Sequence, residues 1–258
     1  MIIDINACLG HYPFRQLRCT TAVTMIELMD RNGIDRAVVS SLHAVFYRDA
    51  HRGNEELHEA TRAHGSRFIP VATVNPKYVG WDRDLAQAME KWRWKAVTLV
   101  PEHHRHSLVD EQGRAALARI AEYGVPVMLM QRFEDRRQRH HWDRAEDLQV
   151  RTLFDVAAAH PTLKFLLVNW LGLDGARMAA AGMKGRCLID FARTQFVYRK
   201  DALRIIETLG VESLAFGSHM PFDYVGPSLV KLANLEQVRP ADYEAIAWRN
   251  ASKFLGLE

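Results

Sequence analysis

Cysteine is scarce in this 258-residue chain. There are three, Cys8, Cys19 and Cys187, an odd number with no CxxC spacing. That excludes a disulfide framework and points to reduced thiols of a cytoplasmic protein. Net charge is small as well: 34 Lys and Arg against 31 Asp and Glu leave +3, too little to argue for nucleic acid. No stretch approaches the ~20 apolar residues of a membrane helix. The N-terminus lacks the basic segment and apolar run of a signal peptide, so neither a membrane partner nor export is expected. No low-complexity tract, fixed-period repeat or Pro/Gly-rich linker interrupts the chain, which is therefore expected to form one domain over residues 1–258. GxGxxG and GxxxxGK[ST] are also missing, which weakens a nucleotide-binding doubly wound sheet.

What is present is a rhythm. Eight short apolar runs recur: Ile2–Ile5, Ala37–Ser41, Phe68–Val74, Ala96–Val100, Pro126–Met130, Lys164–Val168, Cys187–Asp190 and Leu214–Gly217. Between them lie helix-like stretches, among them Thr24–Asn32, Glu55–His64, Asp82–Lys91, Gln112–Tyr123, Leu148–His160 and Lys200–Leu209. Several end in stop signals such as Asn32-Gly33 and Tyr123-Gly124. The seventh connection, Leu171–Gly185, is rich in Ala and Gly and is the least helix-like. Near-continuous Val, Ile, Leu and Phe suits parallel strands covered by helices. Eight such units in ~250 residues predict an α/β fold, a (β/α)8 TIM barrel, with an open doubly wound sheet as the alternative.

The opening MIIDINACLG alternates. Ile3, Ile5, Ala7 and Leu9 form one row; Asp4, Asn6 and Cys8 form a polar row that faces the barrel interior if this is its first strand. Active sites of such barrels lie at the carboxyl ends of the strands. Those ends carry Asn6 and Cys8, Ser41 and His43, Asn75, then Glu102, His103 and His104. They continue with Gln131 and Arg132, Asn169, Asp190 with Arg193 beyond it, and Ser218, His219 and Asp223. Asn6, Gln131 and Asn169 sit directly at the ends of apolar runs, where a buried amide needs a partner or a polar ligand.

The segments IDINACLG, GIDRAVVSS, FIPVATVNP, GVPVMLM, HPTLKFLLVNW, LAFGSHMPF and RNASKFLGL together resemble the amidohydrolase superfamily, in its amidohydrolase-related (amidohydrolase 2-like) branch of small-molecule hydrolases and decarboxylases. The resemblance implies a metal-dependent site. The first strand typically carries His-x-His, the fifth and sixth each end in His, and the eighth ends in an Asp that holds metal and takes a proton from metal-bound water. This chain departs at each position, with Asn6-Ala7-Cys8, Gln131, Asn169 and His219. Catalytic zinc wants about three good protein ligands, and Cys8 and His219 supply two. The expectation is a degenerate site without the ancestral zinc or manganese. If a metal is present, Cys8 and His219 are its candidate ligands. The LVPEHHRHSLVD segment and the GHYPFRQLR opening resemble a divergent, metal-poor group of the same branch.

The loop QRFEDRRQRHHWDRAED gathers Arg132, Arg136, Arg137, Arg139 and Arg144 among acids. Arginine forks bind carboxylates bidentately, but such runs are usually self-paired and solvated. Arg132, next to the strand end, is the candidate to reach an anionic substrate. The expected function is a hydrolase or lyase on a carboxylate-bearing small molecule, working by histidine acid–base chemistry. His219 and His104 would transfer protons and Asp223 would orient His219; Asn6, Cys8, His43, Gln131, Arg132 and Asn169 would bind substrate. The alternatives are a non-catalytic binding or structural descendant of the barrel, a metal-dependent hydrolase with relocated ligands, and a cysteine enzyme using Cys8 with His219 as base. A homo-oligomer through Trp81, Trp92 and Trp94 is a further possibility.

Overall fold

The computed structural model describes residues 1–192 and 200–257. Arg193 lies outside the described residues. Nine strand segments follow in chain order: β1 (Ile3–Leu9), β2 (Arg36–Ser41), β3 (Phe68–Pro70), β4 (Ala72–Val74), β5 (Val97–Leu99), β6 (Val127–Met130), β7 (Phe165–Val168), β8 (Cys187–Asp190) and β9 (Leu214–Ala215). All neighbouring pairs are parallel, in the orders β1-β2-β3 and β4-β5-β6-β7-β8-β9. β3 and β4 are one strand interrupted at Val71, directly after Pro70, whose ring leaves no N–H for the ladder. The Val71 N–H still bonds the Val39 carbonyl at 2.9 Å, so the two sheets are continuous. The ring closes where Ile5 N–H meets the Phe216 carbonyl (2.9 Å) and Cys8 N–H meets the Met220 carbonyl (3.0 Å). An open doubly wound sheet would leave those edges apart. This is the eight-stranded barrel expected from the apolar runs.

Helices wrap the outside. Side-chain caps start several of them: Thr21 before Ala22–Arg31, Asp49 before Ala50–Thr61, Asp110 before Glu111–Glu122 and Asp174 before Gly175–Ala180. The second helix begins five residues earlier than the Glu55 expected, because Gly53 is a packing glycine there. A Cβ at Gly53 would sit 2.2 Å from the Ala44 backbone nitrogen. The seventh connection does hold a helix, Gly175–Ala180, short and capped by Asp174.

The barrel has two layers of apolar packing. The outer one sets Ala7, Leu9, Val39, Val74, Leu99, Leu129 and Leu167 against helix residues such as Met25, Met29 and Leu57. The inner one joins Ile3, Ile5, Val38, Val71, Met128, Leu166, Leu188 and Ala215 to Ala251 and Leu255 of the last helix, Asn250–Leu255, which plugs one end. Ile3 and Ile5 thus face inward while Ala7 and Leu9 face outward. A register shift between Asp4 and Ala7 makes the switch. The polar row read as continuous is therefore split. Asn6 and Cys8 face the interior, whereas Asp4 bonds the Ser218 backbone N–H (3.1 Å) and hydroxyl. Trp94 is buried, Trp81 and Trp92 are partly buried, and Trp92 stacks on His58 with centroids 4.6 Å apart.

Candidate active site

The inner layer becomes polar toward the carboxyl ends of the strands. Asn6 is 1% exposed, and its side-chain amide crosses the barrel. Nδ2 donates to Asn169 Oδ1 just after β7 (3.0 Å) and to Asp190 Oδ2 at the end of β8 (2.5 Å). Asp190 accepts only, so the donor orientation of this amide is set by its neighbour. The Asn169 backbone N–H closes the triangle on Asp190 Oδ1 at 3.1 Å, and Asn169 Nδ2 donates to the Arg132 carbonyl at 3.2 Å. Asn6 Oδ1 is buried and has no hydrogen-bond partner among the described residues. A buried carbonyl oxygen left unmatched costs ~1–3 kcal/mol, which marks this point as one where a donor belongs.

His219 follows β9 and is fully buried. Its backbone N–H bonds the Asn6 carbonyl (2.9 Å), so the imidazole is tied to the strand that carries Asn6. Nδ1 pairs with Asp223 Oδ2 at 3.0 Å, and the ring stacks on Phe222 with centroids 4.8 Å apart and planes 5° from parallel. The turn that returns Asp223 to the ring has Phe222 and Asp223 N–H groups on the His219 carbonyl. Both Asn169 and His219 hold positive φ, 59° and 62°. Non-glycine residues in that region are uncommon and gather where function imposes them.

The remaining residues singled out from the sequence are placed differently. Cys8 Sγ lies 3.4 Å from Ser40 Oγ, and burial pushes its thiol up to about 12. That suits a packed thiol rather than an activated nucleophile. His43 bonds Glu56 through Nδ1 (2.5 Å) and accepts the His11 backbone N–H through Nε2 (2.8 Å). It lines a separate cleft of about 350 Å³ with Leu9, Thr21 and Leu57, beside the helices that follow β1 and β2. His104 ends a one-turn helix, Pro101–His104, and its Nε2 bonds the Ala44 carbonyl at 3.1 Å. Burial holds it down at about 4, so near pH 7 it is neutral, with its one N–H on Nε2 donated to the Ala44 carbonyl. The histidine-rich segment thus forms a helical turn with His104 and His106 buried. The Gln131 amide spans the loops beyond it, accepting from Leu171 N–H (2.8 Å) and reaching the Leu148 carbonyl (3.4 Å). Arg132 pairs with Asp147 at 2.8 Å, and Arg139 joins the same carboxylate at 2.7 Å. The arginine loop is largely self-paired.

Sequence reasoning missed the cover of the site. Tyr12 is fully buried; its hydroxyl donates to Glu134 (3.0 Å) and lies 3.3 Å from Asp143, and Arg15 pairs with Glu134 at 2.5 Å. Tyr12, Phe14, Phe46 and Phe222 pack edge to face in one cluster with Cys8, and Phe133 joins it tilted at 46° to Phe222. The loops after β1 and β6 are latched together by this network. A buried glutamate on a loop of alternating charge carries no signal that distinguishes it from its solvated neighbours. Beside the latch, a cleft of about 580 Å³ runs between Arg15, Arg18 and Arg31 on one side and Phe222 and Asp223 on the other.

A closed parallel barrel with convergent polar groups at its strand ends defines a (β/α)8 barrel of the enzyme-bearing kind. The chain belongs to the amidohydrolase family, whose model matches residues 13–257. No curated protein matches it by sequence. Solved structures share the fold at low identity. A 2,6-dihydroxybenzoate decarboxylase from Rhizobium is 16% identical with a TM-score of 0.73, covering 99% of this chain and 98% of that one. A 5-carboxyvanillate decarboxylase from Sphingomonas paucimobilis is 15% identical with the same score and coverages. A dihydroxybenzoic acid decarboxylase from Polaromonas, solved with bound manganese and the inhibitor 2-nitroresorcinol, is 16% identical at 0.74, covering 99% and 97%.

Manganese in that neighbour raises the question whether the residues here fit a metal. Among the described residues no group of three or more His, Cys, Asp or Glu is placed to hold one. Among the described residues, the strand ends offer the amides of Asn6, Gln131 and Asn169, the Asp190 carboxylate, the Cys8 thiol set against Ser40 and the His219 imidazole bonded to Asp223. This donor set does not fit a divalent metal, which asks for carboxylates, neutral imidazoles or thiolates facing one point.

Proposed function

We propose that the protein is a hydrolase or lyase acting on a carboxylate-bearing small molecule, and that His219 moves the proton without a metal ion. The observation that carries this reading is the buried His219–Asp223 pair, fixed by its backbone to Asn6 and set beside the Asn6–Asn169–Asp190 triangle. A carboxylate on Nδ1 fixes the imidazole tautomer and orientation and leaves Nε2 as the proton-transfer atom. The decarboxylases that share the fold support a substrate with a carboxylate on a small, ring-bearing body. In a decarboxylation, His219 would deliver a proton to the carbon that loses CO2; in a hydrolysis, it would take one from water. The polar triangle would hold a substrate hydroxyl or carbonyl in place. Arg132 at the strand end is paired with Asp147 and Arg15 with Glu134; with Arg132 as the anion-binding candidate nearest the site, Arg18 and Arg31, which line the cleft that reaches Phe222 and Asp223, would draw an anionic substrate toward it. Burial makes this a site that must open for substrate, with the Tyr12–Glu134 latch as the moving part.

A library of aromatic and aliphatic carboxylic acids, assayed for CO2 release and for hydrolysis, tests the reading. With an active substrate in hand, His219→Asn lowers kcat by ~10²-fold or more, the usual scale for losing a general acid or base. A variant with wild-type turnover removes His219 from the chemistry.

A further inference from the structure

The disagreement between this site and a metal centre has a specific structural form. One side-chain nitrogen, Asn6 Nδ2, stands between Asp190 Oδ2 at 2.5 Å and Asn169 Oδ1 at 3.0 Å. These are two oxygen acceptors from two different strand ends, and the group between them carries partial positive charge. A cation in a carboxylate site performs the same service: it lets oxygens approach without repulsion. We propose that the Asn6 amide is a built-in substitute for a cation. It holds Asp190 and Asn169 together across the barrel by hydrogen bonds where an ion would hold them by coordination, and it excludes divalent metals from the barrel mouth.

Three observations support this. First, every atom in the clasp is within nearly complete burial: Asn6, Asn169 and Asp190 are 1%, 0% and 1% exposed. Charge compensation therefore comes from neighbours, not from solvent. Second, Asn6 stands on the inward face only because the strand shifts register between Asp4 and Ala7. Without that bulge the isoleucine face would continue, and the Asn6 amide would not face β7 and β8. Third, using Nδ2 in this way turns Oδ1 away from both acceptors, and it is left without a partner among the described residues. The same substitution that satisfies Asp190 thus creates an acceptor. It is matched by a ligand group that donates, such as a hydroxyl or an ammonium, and not by a bare carboxylate, which would repel it. The inference rests on the proposed site but not on its reaction. It assigns the substrate a hydrogen-bond donor in addition to its carboxylate.

The test is manganese uptake by the whole chain, read from the loss of the free Mn2+ electron paramagnetic resonance signal. Wild type shows no saturable uptake. Asn6→Asp places an oxygen where the donor stood, 2.5 Å from Asp190 in the parent, and the site must then take up a proton or a cation. The variant binds Mn2+ at least ~10-fold more tightly than wild type, as expected when a second hard oxygen anion enters a preformed site. Asn6→Gln, which keeps the charge state, does not gain this affinity. Uptake of about one Mn2+ per chain by wild type overturns the proposal whether or not the variants fold. So does an Asn6→Asp protein that is folded by circular dichroism and binds Mn2+ no better than wild type. Neither result depends on His219 turnover, so this inference and the proposed reaction fail separately.

Discussion

The two ends of the barrel interior are made by the same eight strands and are opposite in character. At the amino end, Ile3, Ile5, Val38, Met128, Leu166, Leu188 and Ala215 meet the helix residues Ala251 and Leu255 in one contiguous apolar cluster. At the carboxyl end, Asn6, Cys8, Ser40, Thr73, Thr98 and Asp190 replace them, with Asn169 and His219 at the rim, and all of these are at most 4% exposed. The first arrangement stabilises the fold through apolar burial of about 25 cal/mol per Å². The second sacrifices that term, and it leaves Asn6 Oδ1 and Thr73 Oγ1 without hydrogen bonds among the described residues. Folding alone gives no reason to bury half-satisfied polar groups, so the difference separates what holds the barrel from what the barrel is for.

The sharpest way to break the comparison is to damage the apolar end. Leu166 is fully buried in β7 and faces the inner layer. Leu166→Ala removes its methyl groups and leaves a cavity that a closed barrel cannot collapse, at about 2–5 kcal/mol of stability. Urea unfolding gives the value, and turnover per folded molecule stays near wild type. A loss of turnover at full stability would mean that the two ends are not separate.

The next effect lies at the boundary. Asp4 sits under the polar end, fully buried, and burial raises its carboxyl from 3.8 to about 7. A raised acid favours the protonated form in the folded state. The chain therefore loses stability from this group as pH rises from about 4 through 7, and none below. Asp4→Asn removes the term and keeps an acceptor for the Ser218 N–H. The variant gains on the order of 4 kcal/mol over wild type at pH 8, and the gain largely disappears near pH 4. Paired thermal melts at the two pH values check it. His103 and His104, each held down at about 4 by burial, act in the opposite direction as pH falls from 6.5, but identically in both proteins, so the difference isolates Asp4.

How much of this was legible depends on the kind of signal. The apolar runs marked every barrel strand, because strands buried on both faces show themselves by composition alone. The His219–Asp223 pair was legible from a spacing of four residues and a turn. The facing of β1 was not. Alternation was carried through Asp4, Asn6 and Cys8 as one row, and a register shift leaves no trace in the pattern of residue types. The partners of His104, Gln131 and Arg132 were not legible either, for one common reason. A polar residue after a strand can turn inward to the site or sideways to a loop carbonyl, and the deciding partners, Ala44, Leu171 and Asp147, are remote in sequence.

The smallest expected effect is the most diagnostic of the polar end. Thr73 lies in β4 between Ala72 and Val74, both of the outer packing layer, two residues beyond inward-facing Val71, so strand alternation turns its side chain into the barrel. It stands level with Thr98 of β5, whose hydroxyl donates to the Met128 carbonyl at 3.1 Å. The Thr73 hydroxyl makes no such bond among the described residues and is 1% exposed. Valine has almost the same shape without the oxygen. Thr98→Val breaks a bond and costs about 1 kcal/mol. Thr73→Val removes only an unmatched polar group, so it raises stability by about 0.5–1 kcal/mol in the ligand-free protein. Chemical denaturation of the two variants side by side measures the contrast. Equal losses at both positions would show that Thr73 has a partner in solution, a bound water or ligand group. The polar end would then be a filled site rather than a half-satisfied one.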